Sequence, residues 1–304
     1  MQGNACHEFS HRPRLLIVIN DKSGRSGKIN VEILKKAYGK GYDADVVHIG
    51  DKFYPFAPAE RVVVLGGDGT LNSIVNAYYG TETEIIYIPT GTLNECAKKN
   101  KCDFVLDNCG KADNKYFTYV LAAGTFTPLG YSVDNRLKKK IKAFAYVLGV
   151  FRELKVSRIP AVITSSGKTE SGEYSLIMAI RSKQCFGLKF NRAFDKDNGL
   201  YMLTVKAPAS NGIAGLIKLF FPYFRAFFIG FSKEYHSKTM DFIRIKKAEF
   251  SFMKSETFCS DGEKRIMPKK FSIEEAELSP HVTVVTKAGV RNLYKSRKES
   301  QYVR

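Results

Sequence analysis

The heptapeptide Gly66-Gly67-Asp68-Gly69-Thr70-Leu71-Asn72 holds the residue types best suited to chemistry in this chain. It follows the apolar run Val62-Val63-Val64-Leu65, which reads as a buried parallel strand. From Thr70 to Tyr79 the apolar residues Leu71, Ile74, Val75 and Tyr78 recur at helical spacing. Strand, glycine-rich turn and helix together aim backbone N–H groups and a helix N-terminus at a phosphate. Three glycines let the backbone approach closely and take positive φ where needed. An aspartate inside an anion-holding turn repels the anion. Asp68 therefore makes sense beside a metal ion, or beside ordered water lying between it and the phosphates. A turn built only for tight geometry needs neither Asp68 nor Thr70.

The spacing excludes two commoner phosphate motifs. Ser23-Gly24-Arg25-Ser26-Gly27-Lys28 lacks a glycine at position 22 and carries Ile29 where a P-loop needs Ser or Thr. The turn at 66–72 has no G-x-G-x-x-G dinucleotide fingerprint. Three further segments stand out. Asn20-Asp21-Lys22-Ser23-Gly24 follows the strand-like Leu15–Ile19, and Pro89-Thr90-Gly91-Thr92-Leu93-Asn94-Glu95 follows Glu84–Ile88. Asp261-Gly262-Glu263 lies far downstream and by itself reads as a hairpin turn.

Taken in order, these four segments resemble the diacylglycerol kinase catalytic domain family, which also holds sphingoid-base kinases and bacterial lipid kinases. They match its N-x-x-S-G turn, its Gly-Gly-Asp-Gly signature, its P-x-G-T-x-N-[DE] segment and its D-G-E. A weaker likeness covers Gly124-Thr125-Phe126-Thr127, Tyr131 and the helix-like stretch Leu137–Leu154. The resemblance runs from Arg14 to about Thr286. It implies an ATP-dependent kinase that moves the γ-phosphate to a lipid hydroxyl, with diacylglycerol to phosphatidic acid as the leading case.

Carried over residue by residue, the resemblance puts Asn20, Ser23 and Gly24 on the nucleotide, with Arg25 and Lys28 near its phosphates. Gly66 to Asn72 would wrap the triphosphate, with Asp68 tied to Mg²⁺ or its water shell. Thr92 would donate to nucleotide, and Asn94 and Glu95 would support the site from a helix start. Such chemistry is mainly positioning and charge neutralisation. Asp261 and Glu263 are candidates for accepting the lipid hydroxyl proton; Asp261 is favoured on reach, and Glu263 stands as the alternative. Some members carry a structural divalent cation at an Asp-Gly turn, which here reads Asp195-Lys196-Asp197-Asn198-Gly199-Leu200. Asp195, Asp197, Asn198 and Leu200 are the candidate ligands, although Asn198 stands where the family has aspartate and a hard cation prefers carboxylate. His48-Ile49-Gly50 departs from the family where some members place a nucleotide-contacting threonine.

The elements that must position these residues follow a pattern. Strand candidates Leu15–Ile19, Asp45–Ile49, Val62–Leu65 and Glu84–Ile88 alternate with helices at about 29–39, 70–79 and 92–100. That alternation predicts a parallel sheet with helices on both faces, whose ligands bind beyond the carboxyl ends of the strands. From about Tyr116 the chain turns β-rich, with strands predicted at Tyr116–Ala122, Ile159–Thr164, Tyr174–Arg181, Leu200–Lys206, Phe242–Phe252, Phe271–Glu275 and His281–Thr286. The fold class is α/β: a doubly wound nucleotide-binding domain over 13–118 and, by resemblance, an antiparallel β-sandwich over 119–285. The resemblance also places the active site in the cleft between them and packs the tail, about 286–304, back on the first domain.

Composition narrows the partners. A net charge of +18 implies an anionic partner. No zinc-finger spacing, RNP sequence or basic heptad region speaks for nucleic acid, so the expected partner is a lipid substrate at an anionic membrane surface. Six cysteines without a C-x-x-C pair read as reduced thiols of a cytoplasmic protein, and Met1–Pro13 do not form a signal peptide. No stretch reads as long and apolar enough to span a bilayer; the nearest, Ile213–Phe231, contains Lys218, Pro222 and Arg225. Leu216–Ile229 is rich in aromatics and fits either a membrane interface or a helix packed on the second domain. Arg136–Lys142 with Ala143–Leu148 is a second candidate membrane face. Three other functions stay open: a sphingoid-base kinase, an NAD kinase, which shares the Gly-Gly-Asp-Gly turn, and a lipid- or nucleotide-binding protein without catalysis. Oligomeric state is also open, a homodimer included.

Overall fold

Three apolar runs near the N-terminus, Leu15–Ile19, Val62–Leu65 and Ile85–Ile88, form adjacent strands with both faces buried, and the half-exposed Asp43–Ile49 flanks them at the edge. The computed structural model describes residues 12–26, 29–50, 57–91, 94–98, 102–125, 156–185, 188–286, 289–290 and 293. β1 (Arg14–Asn20), β2 (Asp43–Ile49), β3 (Arg61–Gly66) and β4 (Glu84–Pro89) pair in parallel in the order β2-β1-β3-β4. Along β1, Leu16 and Val18 join one core cluster while Leu15, Ile17 and Ile19 join another. α1 (Val31–Tyr38) adds Leu34 to the second, and its N-terminus is capped by Asn30, whose side chain accepts from Glu32 N–H at 2.9 Å. α2 (Asp68–Ala77) adds Leu71, Ile74 and Val75 to the first. Helices therefore cover both faces of the parallel sheet, as the alternation predicts.

Twelve more strands follow among the described residues. They are β5 (Phe104–Ala112), β6 (Lys115–Phe117), β7 (Val120–Gly124), β8 (Ile159–Ser165), β9 (Lys168–Ile180) and β10 (Tyr201–Lys206). Then come β11 (Tyr235–His236), β12 (Met240–Arg244), β13 (Lys247–Phe252), β14 (Glu256–Ser260), β15 (Glu263–Met267) and β16 (Lys270–Val284). These strands pair antiparallel with one another, and β16 joins them to the parallel half. Its first residues pair with β13, while Val282–Val284 run parallel to Ile85–Tyr87 of β4. Strands β6 to β9, β13, β14 and β16 enclose a shared core containing Phe117, Leu121, Ile163, Ile177, Phe250, Phe258 and Phe271. Phe258 meets Phe271 edge-on at 5.4 Å. The other face of β7, β9 and β10 packs against two helices: the single turn α3 (Phe194–Asp197) and α4 (Gly212–Phe224), which contribute Phe194, Leu219 and Tyr223. All three of these side chains are buried.

The structure departs from the sequence reading in six respects. The predicted strand 116–122 is broken at Thr118–Tyr119, because their N–H groups bond to Asp261 rather than to a strand. The predicted strand 242–252 is broken at Ile245, whose N–H bonds to the Leu200 carbonyl at 2.9 Å. Phe271–Glu275 and His281–Thr286 belong to the one long strand β16, with a register shift between Glu277 and Val282. β5, β11, β14 and β15 have no counterpart among the predicted strands. In place of a helix at 92–100, the described residues show one 3-10 turn, Cys96–Lys98. Finally, Gly212–Ile229 does form a helix of 18 residues, long and apolar enough to cross a membrane; it runs through Pro222 and continues in a π-helical turn, Arg225–Ile229. Leu137–Leu154 and Arg136–Lys142 lie outside the described residues. In the tail, Val290 and Leu293 pack with Leu15, Ile17 and Val63.

Candidate active site

Three turns leave the carboxyl ends of the neighbouring strands β1, β3 and β4, and side chains tie them together. Asn20 Nδ2 donates to Thr70 Oγ1 at 2.8 Å. Ser23 Oγ and Thr90 Oγ1 are 2.9 Å apart. The Gly66 carbonyl accepts from the N–H groups of Thr90 and Gly91 at 2.9 and 3.1 Å. Glycine is required where the turns meet: a Cβ on Gly91 would stand 2.6 Å from the Gly67 Cα, and one on Gly66 would stand 2.4 Å from the Thr70 Cβ. Gly67 caps α2 without a side chain, so the first N–H groups of the helix, which have no intrahelical acceptor, face the space above the turn.

Asp68 is buried at the first turn of α2. It accepts from the N–H groups of Glu95 and Cys96, at 2.8 and 3.2 Å. Burial pushes its carboxyl up to about 7, against the pull of those two donors, and the neighbouring Glu95 and Asp261 push the same way. Glu95 is itself buried. Two buried carboxylates side by side are the kind of oxygen donor set that suits a hard divalent cation. Among the described residues no three carboxylate, His or Cys groups gather into a closed metal cage.

The second half reaches this site through the β14–β15 hairpin. Its two-residue turn, Asp261-Gly262, has φ of 49° and 95°, the left-handed geometry such hairpins favour. Asp261 is 2% exposed, and its carboxylate is surrounded by donors. Oδ2 accepts from Thr118 N and Oγ1 at 2.5 and 2.9 Å; Oδ1 accepts from Tyr119 and Val120 N at 3.0 and 2.9 Å. Even so, burial outweighs four donors and holds the carboxyl up at about 6. Asp261 is thus a strap between the hairpin and the start of β7. Glu263 is different: it is exposed, and a Cβ placed on Gly69 would come within 2.9 Å of its Oε1. The carboxylate beside the glycine-rich turn is Glu263, and the preference for Asp261 on reach is corrected.

Part of the chain and its fold are similar to known proteins. Residues 14–112 match the model of the diacylglycerol kinase catalytic domain. The chain is 28% identical over 169 residues to a diacylglycerol kinase of Staphylococcus epidermidis, covering 47% of this chain and 54% of that one. It is 31% identical over 164 residues to one of Staphylococcus haemolyticus, covering 45% and 50%. The match therefore spans about half the length of these relatives. The fold resembles a crystal structure of a diacylglycerol kinase from Bacillus anthracis, at 18% identity, 91% and 98% coverage and a TM-score of 0.59.

Within the linked turns and their surroundings the predicted residues sort by where their side chains go. Asn20, Ser23, Gly24, Gly66, Gly67, Asp68, Gly69 and Thr70 converge on the linked turns, and Arg25 is exposed on the first of them. Asn94 adopts φ 48° and donates to the Gly91 carbonyl at 2.8 Å, holding the third turn closed. Leu71 does not belong with them: it is fully buried in the core under α2, on the helix face away from the turn. Asn72 accepts from Asn76, which in turn pins Tyr116 of β6, so it anchors the helix. Thr92 and Lys28 lie outside the described residues. His48 pairs with Asp21 at 2.8 Å on the rim of the first turn.

The turn at 195–200 is held by a cation that the chain supplies itself. Arg244 Nε donates to Asp197 Oδ2 at 3.0 Å, and Asp197 Oδ1 accepts from Gly199 N and Tyr201 Oη. Asp195 pairs with Lys183. Asn198 turns the chain with φ 56° and caps α3. The Leu200 carbonyl accepts from Ile245 N. The expected ligands Asp195, Asp197 and Leu200 are thus engaged by protein donors, and Asn198 shapes the turn, with guanidinium charge where a metal was expected.

Sequence reasoning missed three residues around these turns. Ser26 is buried and ties the first turn by donating to the Asn20 and Ser23 carbonyls at 2.7 and 2.9 Å. The Cys96 thiol lies 3.2 Å from Thr118 Oγ1 in the same buried group, and burial pushes it well above its usual range. Arg181, at the end of β9, is buried, and its Nε and one Nη meet no acceptor among the described residues. Only the serine carried a signal in sequence, as a turn former between two glycines.

Proposed function

We propose that the chain is an ATP-dependent lipid kinase that transfers the γ-phosphate to the hydroxyl of diacylglycerol, giving phosphatidic acid and ADP. The observation that carries this reading is the pairing of a phosphate-binding turn with a carboxylate next to it: Gly66–Thr70 at the mouth of β3, and Glu263 against Gly69. The backbone N–H groups at the start of α2 hold the triphosphate, with Ser23, Asn20 and Thr70 fixing the shape of the turns. The lipid hydroxyl oxygen attacks the γ-phosphorus, the bond to the β-phosphate oxygen breaks, and the hydroxyl proton passes to Glu263. Mg²⁺, when bound, neutralises phosphate charge; Asp68 and Glu95 are the residues that would hold it, through its water shell. Asp261 takes no proton in this scheme. It keeps the hairpin, and with it Glu263, in place.

The partner is a lipid presented at a membrane, and the protein acts there as a peripheral enzyme. The high net charge of +18 supports an anionic surface. The test is transfer from γ-labelled ATP with Mg²⁺ to mixed micelles of diacylglycerol or of sphingosine, or to NAD in buffer. Label in phosphatidic acid is expected. Label in NAD alone would replace the reading with a nucleotide kinase.

A further inference from the structure

The helix Gly212–Ile229 carries an apolar ridge on its outer side. Ile213, Ile217 and Phe221, spaced four residues apart, are 77, 59 and 68% exposed. Beside them Phe220, Phe224 and Phe228 form a second exposed row, with stacked rings 5.8 and 5.3 Å apart. The opposite face is buried: Leu219, Tyr223 and Ala226 sit in the core against β7, β9 and β10, and Tyr223 Oη is 2.7 Å from Ser175 Oγ. A core helix would not leave six large side chains in water. A membrane-spanning helix would not have one face locked into a sheet. A helix buried on one side and apolar on the other fits a surface it lies along.

Charge decides which surface. From Asn198 to Lys233 the chain contains no Asp or Glu, and Lys206, Lys218, Arg225 and Lys233 are its charged residues. Lys218 and Lys233 are exposed on and after the helix. Arg192, also exposed, donates to the Ile229 carbonyl at 2.8 Å, which places a guanidinium at the end of the ridge. A contact patch for an ordinary protein surface gains from both signs of charge; an apolar ridge whose charged residues on and beside it, Lys218, Arg225, Lys233 and Arg192, are cations matches acyl chains below a layer of anionic headgroups.

We propose that the outer face of Gly212–Ile229 is the membrane-docking element of this protein, with Ile213, Ile217 and Phe221 entering the headgroup–acyl boundary of an anionic bilayer and Lys218, Lys233 and Arg192 meeting the headgroups. This deepens the lipid kinase reading, on which its purpose rests, but its observations are independent of that reading. Docking along this helix brings the antiparallel half against the bilayer, where a membrane-resident substrate is met.

The test uses the full chain and the double variant Ile217→Ser/Phe221→Ser, both at exposed positions. Sedimentation is measured with vesicles of phosphatidylglycerol and phosphatidylcholine in equal parts, and with phosphatidylcholine alone. The wild type is expected to bind the anionic vesicles in a salt-sensitive way, and the double variant to bind at least tenfold more weakly with an unchanged melting temperature. On a short-chain diacylglycerol in detergent micelles the variant is expected to match the wild type, while on vesicles it falls behind. Equal vesicle binding by the two proteins would overturn the proposal. So would a wild-type dimer in solution that the variant breaks, because the ridge would then be covered by a second copy. Loss of vesicle binding in the variant, with no lipid phosphorylated by either protein, would support the docking surface and remove the kinase reading.

Discussion

Glu263 Oε1 lies 2.9 Å from the point where a β-carbon on Gly69 would sit, so a carboxylate from the second half of the chain closes over the glycine-rich turn of the first. Glycine is the only residue type at position 69 that leaves that carboxylate undisturbed. Gly69→Ala is expected to push the flexible end of Glu263 aside without unfolding the protein. The turnover number should fall tenfold or more while the melting temperature moves by less than about 2 °C, the shift expected of a substitution worth under 1 kcal/mol. Steady-state kinetics beside a thermal melt reads both; unchanged turnover would separate Glu263 from the reaction.

Asp261 and Glu263 should respond differently to the same chemical change. Asp261→Asn replaces one acceptor oxygen by an amide that faces backbone N–H donors. Leaving buried donors unmet costs about 1–3 kcal/mol each. Chemical denaturation should show a stability loss of at least about 2 kcal/mol on that scale. If Asp261→Asn melts like the wild type, its carboxylate is not the strap described above.

The two glycines that face each other across the turns make a second contrast. A Cβ on Gly67 would meet the Gly91 Cα at 3.7 Å, an ordinary contact, and its φ of −96° suits any residue. Gly67→Ala should therefore fold normally, yet occupy space the phosphates need, weakening ATP binding at least tenfold by titration calorimetry. Gly91→Ala drives a Cβ to 2.6 Å from the Gly67 Cα, against backbone that cannot swing away, and should destabilise the fold itself. Equal ATP affinity in Gly67→Ala and wild type would move the phosphates elsewhere.

Asp68 and Asp261 ionise near 3.8 in an unfolded chain, and burial raises them to about 7 and about 6 in the fold. Raised carboxyls contribute stability that is complete below pH about 4 and is lost as pH rises through about 6 and 7, because the unfolded state then releases protons the folded state must also give up at greater cost. Without divalent cations, this pair should lower the melting temperature between pH 5 and pH 8. The fall should be shallower in Asp68→Asn, which has no proton to lose there. Identical pH slopes in the two proteins would contradict a raised Asp68.

At the 195–200 turn, Arg244 holds Asp197 at 3.0 Å and Glu275 at 2.7 Å. A Cβ on Gly199 would overlap the Arg244 side chain, so the glycine makes room for it. Arg244→Met should cost about 1–3 kcal/mol, mostly through the charge-assisted hydrogen bond to half-buried Glu275, since the pair with exposed Asp197 contributes little, and a chelator should leave the melting temperature of the wild type where it was. A drop on chelation, reversed by Mg²⁺ or Ca²⁺, would restore the metal site.

The parallel half was readable because its signals are local. Runs such as Leu15–Ile19 and Val62–Leu65 are apolar at every position, which only strands buried on both faces require, and each motif follows its strand directly. What escaped depends on residues far apart in sequence. β5 carries Asp107, Asn108 and Gly110 and is a strand because β16 pairs with it. β16 serves both halves, so its pattern changes midway and reads as two strands. The roles of Asp261 and Glu263 could not be separated by spacing, since they turn on Thr118–Val120, 141 to 143 residues earlier, taking up the Asp261 oxygens. Asp197 offered itself as a metal ligand because nothing in its own segment shows that Arg244 will reach it.

The most direct measurement is single-turnover transfer of γ-labelled phosphate from ATP to diacylglycerol in mixed micelles, by the wild type and by Glu263→Gln. The wild type should form labelled phosphatidic acid. Glu263→Gln should bind ATP with unchanged affinity and transfer about 10²–10⁴-fold more slowly, the usual worth of a positioned base. Wild-type transfer by Glu263→Gln would remove the proton acceptor from this site, and no labelled lipid from the wild type would contradict the kinase itself.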